Sequence, residues 1–383
     1  MKVLVAHNRY SSGQPSGENA VVDAEVRQLA EAGVAVVTYL RSSDEIPTLP
    51  VRQKAALPLS PVYAARAQRE LGNLLREHRP DVVHLHNPYP LLSPWVVRTA
   101  HAHGVPVVQT VHNFRHTCVS GLFFRDGRPC HDCAGRALAL PAVRHGCYRG
   151  SRPQSAAMAV ALAVHRRTWQ QVDRFLALTP AVAAYLGALG VADDRIVVKP
   201  NSVPDPGPPA AVGNGFVFAG RLSPEKGLDL LLDAWARHPD GALGPLWIAG
   251  DGPLRGRVHA AAAERSDIVV LGHLDQAGVR EAMRRAAVVV VPSTWDEVCP
   301  MVALEGLANG RPVLGTARGG LPWLVGEAGW ICEPEADALA EGLLRATAEA
   351  GGLAATARSR YEREFSPAVV TGELISVYES LVG

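Results

Sequence analysis

The chain has 383 residues, of which 48% are hydrophobic and 20% are charged, which suffices for two folded domains and excludes a disordered chain. The 38 Lys and Arg residues almost balance 37 Asp and Glu residues, so a protein built mainly to bind nucleic acid is disfavoured. The longest apolar run, residues 156–164, is about half as long as a bilayer-spanning helix. The N-terminus is too short and too polar for a secretory signal, and we therefore expect a cytoplasmic protein.

Charge is divided unevenly along the chain. Residues 1–205 hold 23 Lys and Arg against 15 Asp and Glu, a balance of +8, and the remainder holds 15 against 22, a balance of −7. Residues 112–174 contain ten Arg, three Asp and neither Lys nor Glu. This basic segment favours an anionic acceptor or one at a membrane surface, such as a lipid-linked saccharide, with peripheral membrane contact. Drift towards arginine in the composition explains the same counts equally well.

The first half alternates short β-branched runs with helical patterns, which is typical of βα units and parallel sheets. Predicted strands are residues 2–6, 34–40, 82–85, 106–110, 174–178 and 196–198. Predicted helices are residues 20–31, 63–78, 94–103 and 180–189. Between residues 110 and 174 we predict a long irregular stretch. Residues 1–200 are therefore expected to form a Rossmann-like domain on the acceptor side.

A segment rich in Pro and Gly, residues 201–215, cannot continue a helix or a central strand and is predicted to be a linker. Beyond it the βα pattern restarts and predicts a second Rossmann-like domain, residues 216–365. Its predicted strands are residues 216–219, 246–249, 268–271, 288–291 and 312–315. Its predicted helices are residues 228–237, 254–265, 276–285, 301–309 and 337–350. Within residues 366–383, a helix over 367–381 is expected to pack back onto the first domain. The predicted fold is thus α/β, with two doubly wound domains facing a central cleft.

The most informative segment is residues 291–313. Glu297 precedes Pro300, which disfavours helical backbone in the residue before it and starts a helix, so Glu297 belongs to a loop. The free N–H groups of Met301 and Val302 at the helix start form an anion site, and Glu305 lies one to two turns further along. An acidic loop, an amide-rich helix end and a second acid together suit a nucleotide sugar.

This segment resembles the glutamate-x7-glutamate motif of retaining glycosyltransferases of the GT-B architecture, in particular glycosyltransferase family 4. Residues 218–227 are similar to the diphosphate-binding loop of that family, and residues 250–254 match its next βα turn. Gly319-Gly320 match its glycine pair, whereas the residues after Gly320 depart from the family pattern. The resemblance covers nearly the whole chain.

The resemblance implies a transferase that moves a sugar from a UDP- or GDP-sugar to an acceptor hydroxyl of a polysaccharide, a glycolipid or a small molecule. Glu297 would contact the donor sugar near its anomeric carbon, and Glu305 would bind the ribose. Arg221 and Lys226 would hold the two phosphates. Because the leaving diphosphate gains negative charge, two fixed cations and a helix end replace a divalent metal, and no cofactor is required.

A short loop after the first strand gives a further candidate for donor binding. Ser16-Gly17-Glu18-Asn19 opens a helix, and Gly17 and Glu18 let the backbone approach a phosphate or sugar there. The match to the family is partial, because Ser16 stands where a second glycine is usual.

Histidines mark the ends of two strands in the first half. His112 follows a buried strand and looks like the histidine of the family that contacts the donor sugar, so we predict a catalytic role for it. His84 is interpreted as a packed structural residue, whereas for His86 both roles stay open. Retention is expected to proceed by front-face attack, and a transient covalent sugar on a carboxylate remains an alternative.

Four cysteines cluster in a loop-rich insertion, residues 113–150, and two of them form a C-x2-C pair. They are Cys118, Cys130, Cys133 and Cys147. The spacing predicts a structural tetrahedral zinc site that orders an insertion without its own core, with unlinked thiols and disulfides as alternatives. Four thiolates leave no open position for catalysis.

Two other functions remain as alternatives at this stage. One is a nucleotide-sugar 2-epimerase with the same two-domain architecture, although that family carries a different pattern of acids and histidines. The other is a non-catalytic sugar-nucleotide-binding protein organised by zinc. Intact Arg221, Lys226, Glu297 and Glu305 favour the enzyme.

Overall fold

The computed structural model describes residues 1–13 and 17–382, so Ser16 of the predicted donor-binding loop lies outside the described residues. The chain divides into two units. The first comprises Met1–Phe123, Cys130–Lys199 and the chain from Thr371 onward, and the second comprises Phe124–Pro129 and Pro200–Val370. Residues 201–215, which join the sheets of the two units in the chain, contain neither helix nor strand.

The strands form one six-stranded parallel sheet in each unit and one two-stranded hairpin. In the first unit they are β1 (Lys2–Arg9), β2 (Ala35–Ser42), β3 (Val82–Leu85), β4 (Val107–Val111), β7 (Arg174–Ala177) and β8 (Ile196–Val198), in the order β2-β1-β3-β4-β7-β8, and the hairpin is β5 (Phe124–Arg125) with β6 (Arg128–Pro129). In the second unit they are β9 (Phe216–Ala219), β10 (Leu246–Ala249), β11 (Ile268–Gly272), β12 (Val288–Val291), β13 (Val313–Thr316) and β14 (Gly329–Cys332), in the order β11-β10-β9-β12-β13-β14.

Helices alternate with these strands, as crossover connections between parallel strands require. They are α1 (Gly17–Glu31), α2 (Val51–Ala56), α3 (Ala65–His78), α4 (Val96–Ala102), α5 (Leu140–His145), α6 (Arg152–Trp169), α7 (Pro180–Ala188), α8 (Leu228–Trp235), α9 (Arg255–Glu264), α10 (Gln276–Arg285), α11 (Met301–Ala308), α12 (Leu321–Val325), α13 (Ala336–Arg360) and α14 (Pro367–Val382). None of the helices in the described part of the chain combines the length and apolarity needed to cross a bilayer.

The central strands carry the cores of both units. All side chains of β3 and of β12 are buried, which is typical of strands covered by helices on both faces. Parallel pairing places the carboxyl ends of β1, β3 and β4 at one edge of the first sheet, and those of β9, β12 and β13 at one edge of the second. These two edges bear the predicted site residues.

The prediction of an irregular stretch before β7 was wrong. The 18-residue helix α6 starts after Ser151, whose side chain accepts a hydrogen bond from the N–H of Gln154, and α5 precedes it. Its buried residues Met158 and Leu162 pack against Tyr89 and other apolar side chains. Neither β14 nor α12 was predicted, and α13 continues ten residues beyond the predicted end.

The last helix, α14, contributes to the first unit from Thr371 onward. Its side chains Leu374 and Tyr378 pack in the cluster that contains Val3 of β1. The hydroxyl of Tyr378 lies 2.6 Å from Nδ1 of His84, a buried histidine of β3. The last helix therefore contacts a polar side chain inside the first unit.

Candidate active site

A buried carboxylate lies in the loop between β12 and α11. The Glu297 side chain is only 3% exposed, and its Oε1 accepts hydrogen bonds from Nζ of Lys226 at 2.7 Å and from Oγ of Ser293 at 2.6 Å. The ammonium of Lys226 also lies 5.1 Å from the centre of the Trp295 ring. The structure thus brings together two of the predicted site residues, Lys226 and Glu297.

Two glycines allow the loops around Glu297 to approach one another. Gly227 has a φ of +73°, and a Cβ there would stand 1.7 Å from the carbonyl oxygen of Pro292. Gly319 has a φ of +55°, and a Cβ there would stand 2.2 Å from the carbonyl oxygen of Glu297, which accepts a hydrogen bond from the N–H of Gly320 at 2.7 Å. Only glycine fits both positions without displacing the backbone that positions Glu297.

Arg221 lies on the loop that carries Lys226 but contacts a different acid. Its Nη2 is 2.8 Å from Oε1 of Glu225, and its side chain is 61% exposed. The same carboxylate oxygen accepts a hydrogen bond from Ser223, and the carbonyl of Glu225 accepts one from the N–H of Thr294. Glu225 therefore links Arg221 to the loop of Glu297, while the guanidinium itself stays open to solvent.

Helix α11 begins at Met301, as the sequence predicts. Its first turn leaves the N–H groups of Met301 and Val302 without carbonyl acceptors inside the helix, because the first four N–H groups of any helix have none. Glu305 lies in the second turn, where burial raises the pKa of its carboxyl group to about 7 against the opposing charge of Arg280. Amide donors and an acid therefore belong to one short helix.

In the first unit, His112 follows β4, and its Nε2 lies 2.9 Å from Nδ1 of His86. Burial, together with the charges of His86 and His7, holds the pKa of His112 well below its usual range. The imidazole of His112 is therefore neutral near neutral pH. His112 and Glu18 both line one cavity of about 20 Å³. The structure therefore also brings together two of the predicted site residues of this unit.

His86 in turn meets a buried acid that the sequence analysis missed. Oε1 of Glu25 lies 3.2 Å from Nε2 of His86 and 3.1 Å from Nδ1 of His84, and Oε2 accepts a hydrogen bond from Lys199 at 3.0 Å. Burial acts to raise the pKa of Glu25, but the charges of Lys199, His84 and His86 hold it well below its usual range. One possible ligand atom from each of Glu25, His84 and His86 lies within 4.8 Å of the other two. Because Lys199 forms an ion pair with Glu25, these side chains form an ion-paired network.

The network selects a tautomer for His112. Nε2 of His86 and Oε1 of Glu25 have no hydrogen-bond partner among the described residues, but at 3.2 Å the charge of the carboxylate favours the proton on that nitrogen, which leaves Nδ1 of His86 as an acceptor. Nε2 of His112 is then the donor in the 2.9 Å contact, and its Nδ1 keeps a lone pair. A neutral imidazole held in this way can accept a hydrogen bond from a hydroxyl group of a ligand.

Gly17 and Glu18 open helix α1 in the described chain. Burial raises the pKa of Glu18 to about 7, although Arg115, Tyr10 and Asn113 act to lower it. Oε1 of Glu18 is buried and has no hydrogen-bond partner among the described residues. Because buried polar atoms are normally paired, this oxygen marks a position for a polar ligand group.

A signal for Glu25 was present in the sequence. The buried face of α1 is formed by Val21, Val22, Glu25 and Leu29, so a charged residue interrupts an apolar stripe. A charge at such a position indicates a buried partner, which the structure shows to be Lys199. No comparable pattern marks Arg115, which lines the cavity with His112 and sits in an irregular loop.

The four cysteines of the insertion lie in one region. Burial raises the pKa of Cys133, and the nearby Cys118, Cys130 and Cys147 act to raise it further. None of the four is in a disulfide. In the described part of the chain, their sulfur atoms do not form a group of three within 4.8 Å, unlike the Glu25 network. Cys133 and Cys147 pack against an apolar cluster that the insertion shares with α6 and Tyr89, so the apolar side chains of the insertion pack together with residues outside it.

Two family models match successive parts of the chain. Residues 16–202 match the family model of a glycosyl transferase 4-like domain, and residues 213–349 match that of glycosyl transferases group 1. D-inositol 3-phosphate glycosyltransferase 1 of Catenulispora acidiphila is 30% identical over 343 residues, which cover 81% of this chain and 76% of the relative.

Solved structures show the same fold. Sucrose-phosphate synthase from Thermosynechococcus elongatus superposes with a TM-score of 0.71 at 20% identity over 99% of this chain and 98% of that chain. HepE of Anabaena, solved with UDP and glucose, gives 0.66 at 16% identity over 99% of this chain and 100% of that chain. The chain therefore belongs to the glycosyltransferases of the GT-B fold that combine a glycosyl transferase 4-like domain with a group 1 domain, and it is an enzyme of that class.

Proposed function

We propose that this enzyme is a retaining glycosyltransferase that moves a sugar from a nucleotide-diphosphate sugar to an acceptor hydroxyl. The observation that carries the proposal is the 2.7 Å pair of Lys226 and Glu297 in the loop before α11. A cation beside a buried carboxylate supplies two complementary contacts, one for a phosphate and one for sugar hydroxyls. The relative from Catenulispora acidiphila is a glycosyltransferase, which favours sugar transfer over epimerisation or binding alone.

In the second unit, we assign Lys226 and Arg221 to the diphosphate, together with the amides of Met301 and Val302. Lys226 must exchange its contact with Glu297 for one with phosphate when the donor binds. Glu297 is then released to accept hydrogen bonds from the sugar, and Glu305 binds the ribose. Positive charge and helix amides stabilise the negative charge that develops on the leaving diphosphate.

In the first unit, we assign His112 and Glu18 to hydroxyl groups of the sugar. The lone pair on Nδ1 of His112 accepts a hydrogen bond from one hydroxyl group, and the unpaired Oε1 of Glu18 accepts one from another. Gly17, at the exposed start of α1, provides backbone that a phosphate or sugar can approach. These contacts orient the donor; the proton of the acceptor passes to the departing diphosphate in the front-face mechanism.

The donor we favour carries UDP, because HepE, a protein of the same fold, was solved with UDP and glucose. We place the enzyme in the cytoplasm with peripheral contact to membranes, in keeping with the ten arginines of residues 112–174. A panel of UDP- and GDP-sugars, compared by thermal shift, tests the donor class. A ligand at 100 times its Kd adds about 2.7 kcal/mol to the free energy of unfolding, so a bound donor must raise Tm.

Replacing Lys226 with alanine is expected to weaken UDP binding by about 10- to 150-fold, since a charge-assisted hydrogen bond contributes about 1.5–3 kcal/mol. Calorimetry measures the affinity, and uridine, which lacks phosphate, should bind wild type and variant alike. Arg257→Ala is the matched control, because this exposed cation pairs with surface acids of the same unit. Equal UDP affinity in Lys226→Ala and wild type would remove Lys226 from the phosphate site.

We also propose a structural zinc ion bound by Cys118, Cys130, Cys133 and Cys147, whose sulfur atoms must move closer together when the ion binds, since no three of them lie within 4.8 Å of one another. Elemental analysis of protein purified without chelator should find about one zinc per chain, and Cys130→Ser should lose it together with several degrees of Tm. Cys332→Ser, a cysteine of β14 far along the chain, is the control and should keep the metal. Protein that contains no zinc at full stability would contradict this assignment.

A further inference from the structure

A second and larger cavity lies in the first unit, with a volume of about 300 Å³. Its walls are mostly apolar and come from α6, β7, α7 and the loops beside them; they include Leu162, Ala163, Phe175, Leu186, Leu189 and Val191. Volumes of this size and apolar walls are typical of sites for small ligands. The proposed sugar transfer does not use this cavity.

The large cavity adjoins the small cavity that contains His112. His116 and Trp169 line both of them, with their rings 4.7 Å apart. A ligand in the large cavity would therefore be separated from the surroundings of His112 by the thickness of these two side chains. A molecule that extends past them would occupy both cavities.

These two side chains carry buried polar atoms without partners. Nδ1 of His116 and Nε1 of Trp169 have no hydrogen-bond partner among residues 1–13 and 17–382, and both side chains are more than nine-tenths buried. Nε2 of His116 contacts Oε1 of Gln109 at 3.2 Å, so Nε2 carries the proton and Nδ1 a lone pair. One acceptor and one donor, the indole N–H, thus stand between the cavities and suit a polar group of a ligand.

The rim of the large cavity is positively charged. Arg136, Arg166 and Arg167 line it, whereas no Asp or Glu does. Arg166 and Arg167 are exposed and form no ion pair within the described ranges of the chain. The same helix, α6, exposes Val160 and Val164 beside them. Unpaired arginines next to apolar surface fit an anionic head group with an apolar chain.

We propose that this cavity binds the apolar chain of a phosphate-bearing amphiphile, with Arg166 and Arg167 on its phosphate. The molecule is the acceptor, or the carrier of the acceptor sugar, and this role rests on the proposed glycosyl transfer. Binding itself does not depend on that function. The amphiphile enters as a single molecule, taken from solution or from a membrane; its phosphate stays at the rim, and the hydroxyl that accepts the sugar lies at the other end of the molecule, beside His116 and Trp169.

The test is calorimetry with decyl phosphate below its micellar concentration. Inorganic phosphate, which lacks the alkyl chain, and decanol, which lacks the phosphate, are the comparison ligands. Decyl phosphate should bind at least about tenfold more tightly than either of them. Ala163→Phe fills the cavity from α6 and should weaken binding of decyl phosphate by at least tenfold. Ala188→Phe, on the exposed opposite wall, should weaken it to the same extent. Gln154→Phe places an aromatic ring on an exposed residue of α6 outside the cavity and should bind like wild type.

A second pair of variants tests the rim. Arg166→Gln with Arg167→Gln should reduce decyl phosphate binding about tenfold and leave decanol unchanged. Arg144→Gln with Arg152→Gln removes the same charge from exposed residues outside the cavity and should bind like wild type. UDP affinity should be equal in every variant, so failure of this proposal is distinguishable from failure of the proposed transferase.

Two results would overturn the proposal. One is equal binding of decyl phosphate by Ala163→Phe, Ala188→Phe and Gln154→Phe. The other is wild-type protein that sediments with phosphatidylglycerol vesicles but does not bind monomeric decyl phosphate, because the arginines would then contact a membrane surface and the cavity would hold no chain.

Discussion

Replacing Glu297 with glutamine is expected to lower the rate of sugar transfer by about 10²–10³-fold, the effect of removing one fixed charge contact from a transition state. Glutamine keeps the shape and can still accept a hydrogen bond from Ser293, but it lacks the negative charge that faces the developing positive charge on the sugar. Tm should stay close to that of wild type. Steady-state kinetics with the donor found by thermal shift measure the loss.

Asp296→Asn is the matched control, since it removes an acidic charge from the neighbouring residue of the same loop. Its rate should remain within a few-fold of wild type. Turnover of Glu297→Gln equal to that of the control would exclude Glu297 from catalysis and leave it a structural partner of Lys226.

Replacing Glu25 with glutamine is expected to destabilise the first unit by about 3–5 kcal/mol, because the ammonium of Lys199 would stay buried without its counter-charge. Transfer should fall as well, by at least about tenfold, since the supporting partner of a functional imidazole is lost. Chemical denaturation and steady-state kinetics measure the two effects.

A double variant separates stability from positioning. Glu25→Gln with Lys199→Met removes both charges, and we expect it to regain most of the lost stability. Transfer should stay low, because nothing then favours the proton on Nε2 of His86, and His112 loses its fixed tautomer. Nitrogen-15 NMR of the histidines reports that tautomer directly. Recovery of both stability and transfer would show that Glu25 is structural only.

The two sheets were predictable because their strands are short, apolar and bounded by Gly and Pro. Helix α6 was missed because its apolar run, residues 156–164, was compared only with the length of a membrane span. Ser151 and Pro153 mark its start, and Trp169 closes a pattern of 18 residues. Capping residues and period together define such a helix, whereas the length of one apolar run does not.

The site was predictable in part. The sequence places Glu297 in the loop before α11 and Glu305 inside that helix, as in the structure, and the glycines explain how the loops around Glu297 approach one another. The sequence does not reveal that Lys226 binds Glu297, because this contact joins residues 71 positions apart. The same holds for Lys199 and Glu25, 174 positions apart. Contacts of this kind depend on sheet topology, which single-chain patterns describe only coarsely.

The most direct test is the anomeric configuration of the sugar released from the donor. Without acceptor, a transferase slowly passes the sugar to water, and proton NMR follows the first product before mutarotation. The account predicts a sugar with the configuration that it had in the nucleotide-diphosphate donor, and no such release by Glu297→Gln. Release of the opposite anomer, or consumption of no nucleotide sugar by wild-type enzyme, would contradict it.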